Sequence, residues 1–265
     1  MDVPDEQPRW PAWYAGVAFV VGLLATLIAV GIVAAIMGTS SGDQSAAFTI
    51  VATLLQSAAF VGSALLFASM TAEPRAWHFG LRGTRLRSAV GWAALGMLSF
   101  FVLTAIYSAL LHPDAKQSVT RDLGADQGTA GLIAAGLMVM VVAPAAEEFF
   151  FRGFFYRALR TRYPVLVAAG IDGALFGVIH YDFSGANALL IVPPLALLGF
   201  IFCLVYERTG SIFPTIALHA LNNSIAYAAT VHDGWLVSVA AGPLMIAACA
   251  TAPRFIRGGP RPVPA

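Results

Sequence analysis

The segment EEFFFRGFFYRALR, Glu147 to Arg160, sets two adjacent carboxylates and an arginine among five phenylalanines. Carboxylates serve as general bases or metal ligands, and in apolar surroundings an ionisable group is costly unless something pairs with it or uses it. Spacing separates the two glutamates. Glu148 and Arg152 stand i,i+4, one above the other on a helix, so they can form an ion pair. Glu147 is turned by about 100° from that face and has no partner at such spacing. Two carboxylates this close in an apolar surround resist ionising together, because desolvation and like charge both oppose the second charge. Glu148 is therefore expected to be held, and Glu147 to be free to take a proton from water.

Further along lie Asp172 and His180, then His219, Asn222 and Asn223. His219 and Asn223 are again i,i+4 and present two side-chain donors on one face; Phe176 and His180 share the spacing, which puts an aromatic ring beside an imidazole. Depth supports their meeting. Counted from the basic helix ends at about 1.5 Å per residue, Glu147 lies about 20 Å up, His180 about 27 Å, and His219 and Asn223 about 16 and 22 Å. Each group has an ordinary explanation when taken alone, such as a solvated helix end or a bonded core histidine, but together on three helices they form a constellation. Asp172 is expected to bond a neighbouring helix and is left outside it. Arg157, Arg160 and Arg162 read as a solvated helix end, and His78, His112 and His232 as solvated loop residues.

The elements that must position these groups follow from composition. The 265 residues are 58% apolar and 11% charged, with a mean hydropathy of +0.77, far from the roughly one-quarter charged content of a soluble domain. This is the composition of an integral membrane protein, and a net charge of +1 offers no basic field for nucleic acid. Apolar runs near 13–37, 46–70, 88–111, 129–155, 163–181, 188–206, 211–231 and 235–252 approach the roughly 20 helical residues that cross a bilayer. The fold class is all-α: a polytopic membrane helix bundle of about eight transmembrane helices. The later runs are interrupted by Pro193, Pro194, Pro214 and Pro243. Thirteen of the fifteen Lys and Arg, all but Lys116 and Arg121, then fall on one side. The positive-inside rule puts both termini in the cytoplasm, and the plasma membrane is the expected location. The first run is too long for a signal-peptide core and follows an acidic segment, so it is expected to remain as an anchor, with Trp10, Trp13 and Tyr14 in the interfacial belt. Cys203 and Cys249 are expected to be buried free thiols. Residues 1–125 read as a scaffold of helices 1 to 3 and 126–232 as the catalytic core of helices 4 to 7. Residues 233–265 read as a last helix with a cytoplasmic tail.

The chain resembles the CAAX prenyl endopeptidase and bacteriocin-processing (CPBP/Abi) family of intramembrane proteases. The motifs that carry the resemblance are EExxxR at Glu147, Glu148 and Arg152, FxxxH at Phe176 and His180, and HxxxN at His219 and Asn223, within about residues 130 to 230. The resemblance implies that Glu147 with His180 activates a water and that His219 with Asn223 stabilises the oxyanion of a tetrahedral intermediate. Glu148, Arg152 and Phe176 support them. It also implies a peptide or membrane-protein substrate in the lipid bilayer, with no cofactor. A metal reading stays open: Glu147, His180 and His219 are also a possible zinc ligand set with a fourth position left for water. So do two other functions, a transporter or channel with polar groups at midplane, and a catalytically silent scaffold or immunity protein on the same fold.

Overall fold

The computed structural model describes residues 8–38, 45–111, 118–181 and 186–256, and every regular element among them is helical. Eight helices follow the eight apolar runs: α1 (Ala12–Met37), α2 (Ala46–Ser69), α3 (Leu86–Leu111), α4 (Gly128–Arg160), α5 (Val165–Ile179), α6 (Val192–Thr209), α7 (Phe213–Thr230) and α8 (Gly234–Thr251). Six of the spans are long and apolar enough to cross a membrane. The other two are α5, with fifteen residues, and α7, whose apolarity is diluted by His219, Asn222 and Asn223. These are two of the three helices that carry the polar constellation. The chain is an all-α polytopic bundle and an integral membrane protein.

The prolines mostly begin helices where interruptions were expected. Pro193 and Pro194 lie at the start of α6 and Pro214 at the start of α7, where a missing N–H costs nothing. Pro243 alone of these lies inside a helix.

Pairs of helices pack along one another: α1 with α2, α5 with α6, and α7 with α8, while α3 lies against α6. The α5–α6 contact is closest, because α5 turns Gly173 and Gly177, a small-xxx-small pair, toward its neighbour. A Cβ on Gly173 would lie 2.6 Å from the Ala196 carbonyl oxygen, and one on Gly177 2.7 Å from that of Val192. Backbone touches backbone there, so glycine sets the spacing of the two helices.

α4 is one span of two kinds of turn. Its α-helical segment Ala143–Glu148 is flanked by π-helical turns at Met138–Val142 and Phe149–Phe155. Pro144 helps explain the first. The Ala143 N–H bonds the Met138 carbonyl, one residue further back than in an α-helix, and Pro144 has no N–H with which to serve the next carbonyl, that of Val139. The wide second turn spreads Phe150, Phe151, Phe154 and Phe155 around the axis, and all four are buried in the main core.

Several surface expectations are corrected. Trp10 is buried, packed on Phe79 and Phe154 with the Arg157 guanidinium 4.9 Å from its ring; Trp13 stays exposed. Arg157 is thus not simply solvated. Arg160 is paired with Glu207 at 2.9 Å, while Arg162 is exposed. His78 is buried rather than solvated: it sits in a short 3-10 turn, Ala76–Phe79, edge-on to Trp77, and its Nδ1 accepts the Arg75 N–H. His232 is exposed as expected, and His112 lies outside the described residues. Both cysteines are buried and free.

Candidate active site

The side chains of the three motifs come from α4, from the end of α5 and from α7. Arg152 is the centre of their support. Fully buried, it donates from Nη1 to Glu148 Oε1 at 2.8 Å and from Nη2 to the Gly199 carbonyl of α6 at 2.8 Å. Its Nη2 also lies 3.4 Å from Asp172 Oδ1. Three rings surround the guanidinium, with Phe176, Phe202 and Phe151 centroids 4.7, 5.1 and 5.6 Å away. An arginine can be buried this way because its delocalised charge stacks on aromatic faces while its fork meets several acceptors. Asp172 thus pairs with a neighbouring helix, as expected, and lies behind the convergent groups beside Arg152. The bare Cα of Gly199 admits the arginine; a Cβ there would lie 3.1 Å from Nη2.

Glu148 faces two ways. The oxygen that holds Arg152 also lies 3.1 Å from His219 Nδ1. A carboxylate paired with arginine is an acceptor, so the imidazole donates from Nδ1 and turns Nε2 toward Glu147. His180, just past the end of α5, is fixed by a related constraint. Its Nδ1 lies 2.6 Å from the Phe176 carbonyl; a carbonyl only accepts, so Nδ1 carries the hydrogen, and in the neutral ring Nε2 is the nitrogen with the lone pair. Phe176 packs on both imidazoles, 4.7 Å from the ring of His180 and 5.7 Å from that of His219.

Both Nε2 atoms point at one atom. Glu147 Oε2 lies 3.7 Å from that of His180 and 3.8 Å from that of His219. These separations exceed a direct hydrogen bond and suit a single bridging water. Glu147 Oε2 is buried and makes no hydrogen bond, although the side chain as a whole is about a quarter exposed, at 24%. Beside it is a cleft of about 30 Å³ whose lining includes Thr53, Gln56 and Ser57 among apolar side chains. A larger cavity, about 270 Å³, lies against the other side of α4 and is lined by apolar side chains such as Phe149, Phe213 and Met245; it does not include these groups.

Asn223 is engaged one turn further along α7. Its Nδ2 donates to the Val139 carbonyl at 2.8 Å, the acceptor left unserved by the π-turn and Pro144. Its Oδ1 accepts from Asn222 at 3.3 Å. One Nδ2 hydrogen remains for another acceptor. The structure thus gathers Glu147, His180 and His219 around one point, places Glu148, Arg152 and Phe176 behind them, and ties Asn223 to α4. Gly199 and Phe202 were missed; a glycine and a phenylalanine among many carried no signal.

Carboxylates and imidazoles from three helices thus converge at one buried point. Residues 129–225 match the family model described as type II CAAX prenyl endopeptidase Rce1-like. The chain is also 30% identical over 145 residues to "Uncharacterized protein YyaK" of Bacillus subtilis (strain 168), a match covering 51% of this chain and 47% of that protein. It spans about half the length of that curated relative. No solved structure matches it.

Proposed function

We propose that the chain is an intramembrane endopeptidase that hydrolyses a peptide bond with water activated by Glu147. The observation that carries the reading is the buried, unbonded Glu147 Oε2 facing two imidazole Nε2 atoms at 3.7 and 3.8 Å. Glu147 Oε2 and His180 Nε2 offer lone pairs there, and a water supplies the two hydrogens they lack.

The water donates one hydrogen to Glu147 and one to His180 Nε2, and the lone pair on the water oxygen is aimed at a substrate carbonyl carbon. Glu147 takes the proton as the hydroxyl adds, then passes it to the amine nitrogen as the C–N bond breaks. The oxyanion is met by His219 Nε2–H and the remaining Nδ2 hydrogen of Asn223. For that task both nitrogens of His219 carry hydrogen, and Glu148 and Asp172 together balance the charges of His219 and Arg152. Arg152, Asp172 and the phenylalanine box keep Glu148 in place. The substrate is a peptide or a membrane protein met within the bilayer, both termini of the enzyme lie in the cytoplasm, and the plasma membrane is its location. The reading needs no metal.

The test is proteolysis of a peptide library by purified protein in detergent or liposomes, with Glu147→Ala as control. Cleavage by the wild type that is lost in the variant supports the reading. Equal cleavage by both removes Glu147 from the chemistry.

A further inference from the structure

α2 carries a polar face for which the mechanism above has no use. Thr53, Gln56 and Ser57 are spaced i, i+3, i+4 and so lie on one side of Ala46–Ser69. That side borders the cleft of about 30 Å³ beside Glu147, whose other walls include Ala143 and Ala146 of α4 and Ile179, the neighbour of His180. Thr53 donates back to the Thr49 carbonyl at 2.8 Å. Among the described residues the side chains of Gln56 and Ser57 have no hydrogen-bond partner, and Gln56 is exposed at mid-helix. An unpaired carboxamide at this depth is costly if it faces hydrocarbon, so its place beside the cleft next to Glu147 calls for a polar occupant.

We propose, resting on the endopeptidase reading, that Gln56 is a substrate-positioning residue whose carboxamide pairs with a backbone peptide group of the substrate, laid across the cleft over Glu147. The chemistry matches: a primary amide offers an acceptor and donors side by side, the complement of a peptide group's N–H and C=O. An extended peptide within the membrane carries the same unpaired groups and the same need. Ser57 and Thr53 flank the contact with hydroxyls, and the methyl side chains of Ala143 and Ala146 leave space for a main chain. Recognition of backbone places the scissile bond without dictating its side chains.

The experiment uses the full chain in detergent and a library of fluorescent, internally quenched peptides. The probe is the peptide cleaved fastest or, if none is cleaved, the one that binds most tightly by anisotropy. Gln56→Met keeps the length of the side chain and removes the amide. It is expected to raise KM or Kd about 5- to 10-fold, the worth of one hydrogen bond, with kcat and melting temperature nearly unchanged. Single backbone N-methylations of the probe are the complement. One position should weaken binding to the wild type by a similar factor and have little further effect on Gln56→Met. Unchanged binding, a loss confined to kcat, or no peptide binding at all would overturn the proposal. Binding that depends on Gln56 with no cleavage would leave the positioning role standing and sink the endopeptidase reading instead.

Discussion

His219 Nδ1 lies 3.1 Å from Glu148 Oε1, so the carboxylate that neutralises Arg152 also aims the imidazole of a different helix. Spacing on α4 alone gives Glu148 a holding role. The contact with α7 adds an orienting one, because a carboxylate acceptor fixes which nitrogen of His219 bears hydrogen.

The pair is therefore expected to matter for stability and turnover together. Removing one member of a buried pair leaves an uncompensated charge, at a cost of about 3–5 kcal/mol. Arg152→Ala is expected to cost more than Glu148→Gln, since it strands Asp172 as well as Glu148. The double variant should lose less than the sum of the two singles. Glu148→Gln should in addition lower turnover about 10²-fold, as expected for a misplaced reactive group, because an amide can accept or donate and no longer fixes His219. Thermal unfolding in detergent and peptide turnover check both. A Glu148→Gln protein with lowered melting temperature and full activity would remove the orienting role.

Glu147→Gln is expected to behave in the opposite way. Its Oε2 makes no hydrogen bond, so stability should hold while turnover falls by at least about 10²-fold, the lower end for loss of a general base. If Glu147→Gln instead unfolds the protein and Glu148→Gln leaves it stable but inactive, the catalytic role moves one residue along α4.

Chelation separates the carboxylate mechanism from a zinc ligand set of Glu147, His180 and His219. Ligands give up a metal to strong chelators, and a general base is indifferent to them. Activity is expected to survive EDTA and phenanthroline. Loss restored by zinc would make those three residues ligands.

How much of this was legible in the sequence depends on where the information lies along the chain. Charge scarcity and long apolar runs fix the helical membrane class, and i,i+4 spacing reveals the Glu148–Arg152 pair because both residues share one helix. Contacts between helices left weaker traces. α6 contributes the Gly199 carbonyl and Phe202 without an ionisable residue at mid-span, so nothing marked it as part of the site. Asp172 was visible as an anomaly, but its partner lies on α4, twenty residues earlier, and no periodicity connects them. The bonding of Asn223 to Val139 depends on a π-turn and the missing N–H of Pro144, which an assumption of regular α-helix conceals. Pro193, Pro194 and Pro214 read as breaks until the helix starts around them were known.

Orientation rests on the arginine distribution. Reporter fusions after Arg82 should read cytoplasmic and fusions after Asp233 should read outside. A cytoplasmic signal at Asp233 would show that one of the short helices, α5 or α7, does not cross.

The spacing of α5 and α6 gives a prediction far from any reacting atom. Gly177 is in contact with the backbone of α6: a Cβ there would lie 2.7 Å from the Val192 carbonyl oxygen and 2.8 Å from the Ala196 nitrogen. These are main-chain atoms that no rotamer change can move. Gly177→Val must therefore push the helices apart, and overpacking of this kind costs about 1–3 kcal/mol. The displacement also lengthens the bond from Arg152 to the Gly199 carbonyl, now 2.8 Å, and shifts His180, three residues further on. Turnover should fall along with melting temperature. Gly170, on the same helix, has nothing within 4 Å of a Cβ position. Gly170→Ala is expected to leave activity intact and to hold or raise stability, by up to about 1 kcal/mol for alanine over glycine in a helix. Equal effects of the two substitutions would mean that the helices are not packed backbone to backbone, and that another contact sets the position of His180.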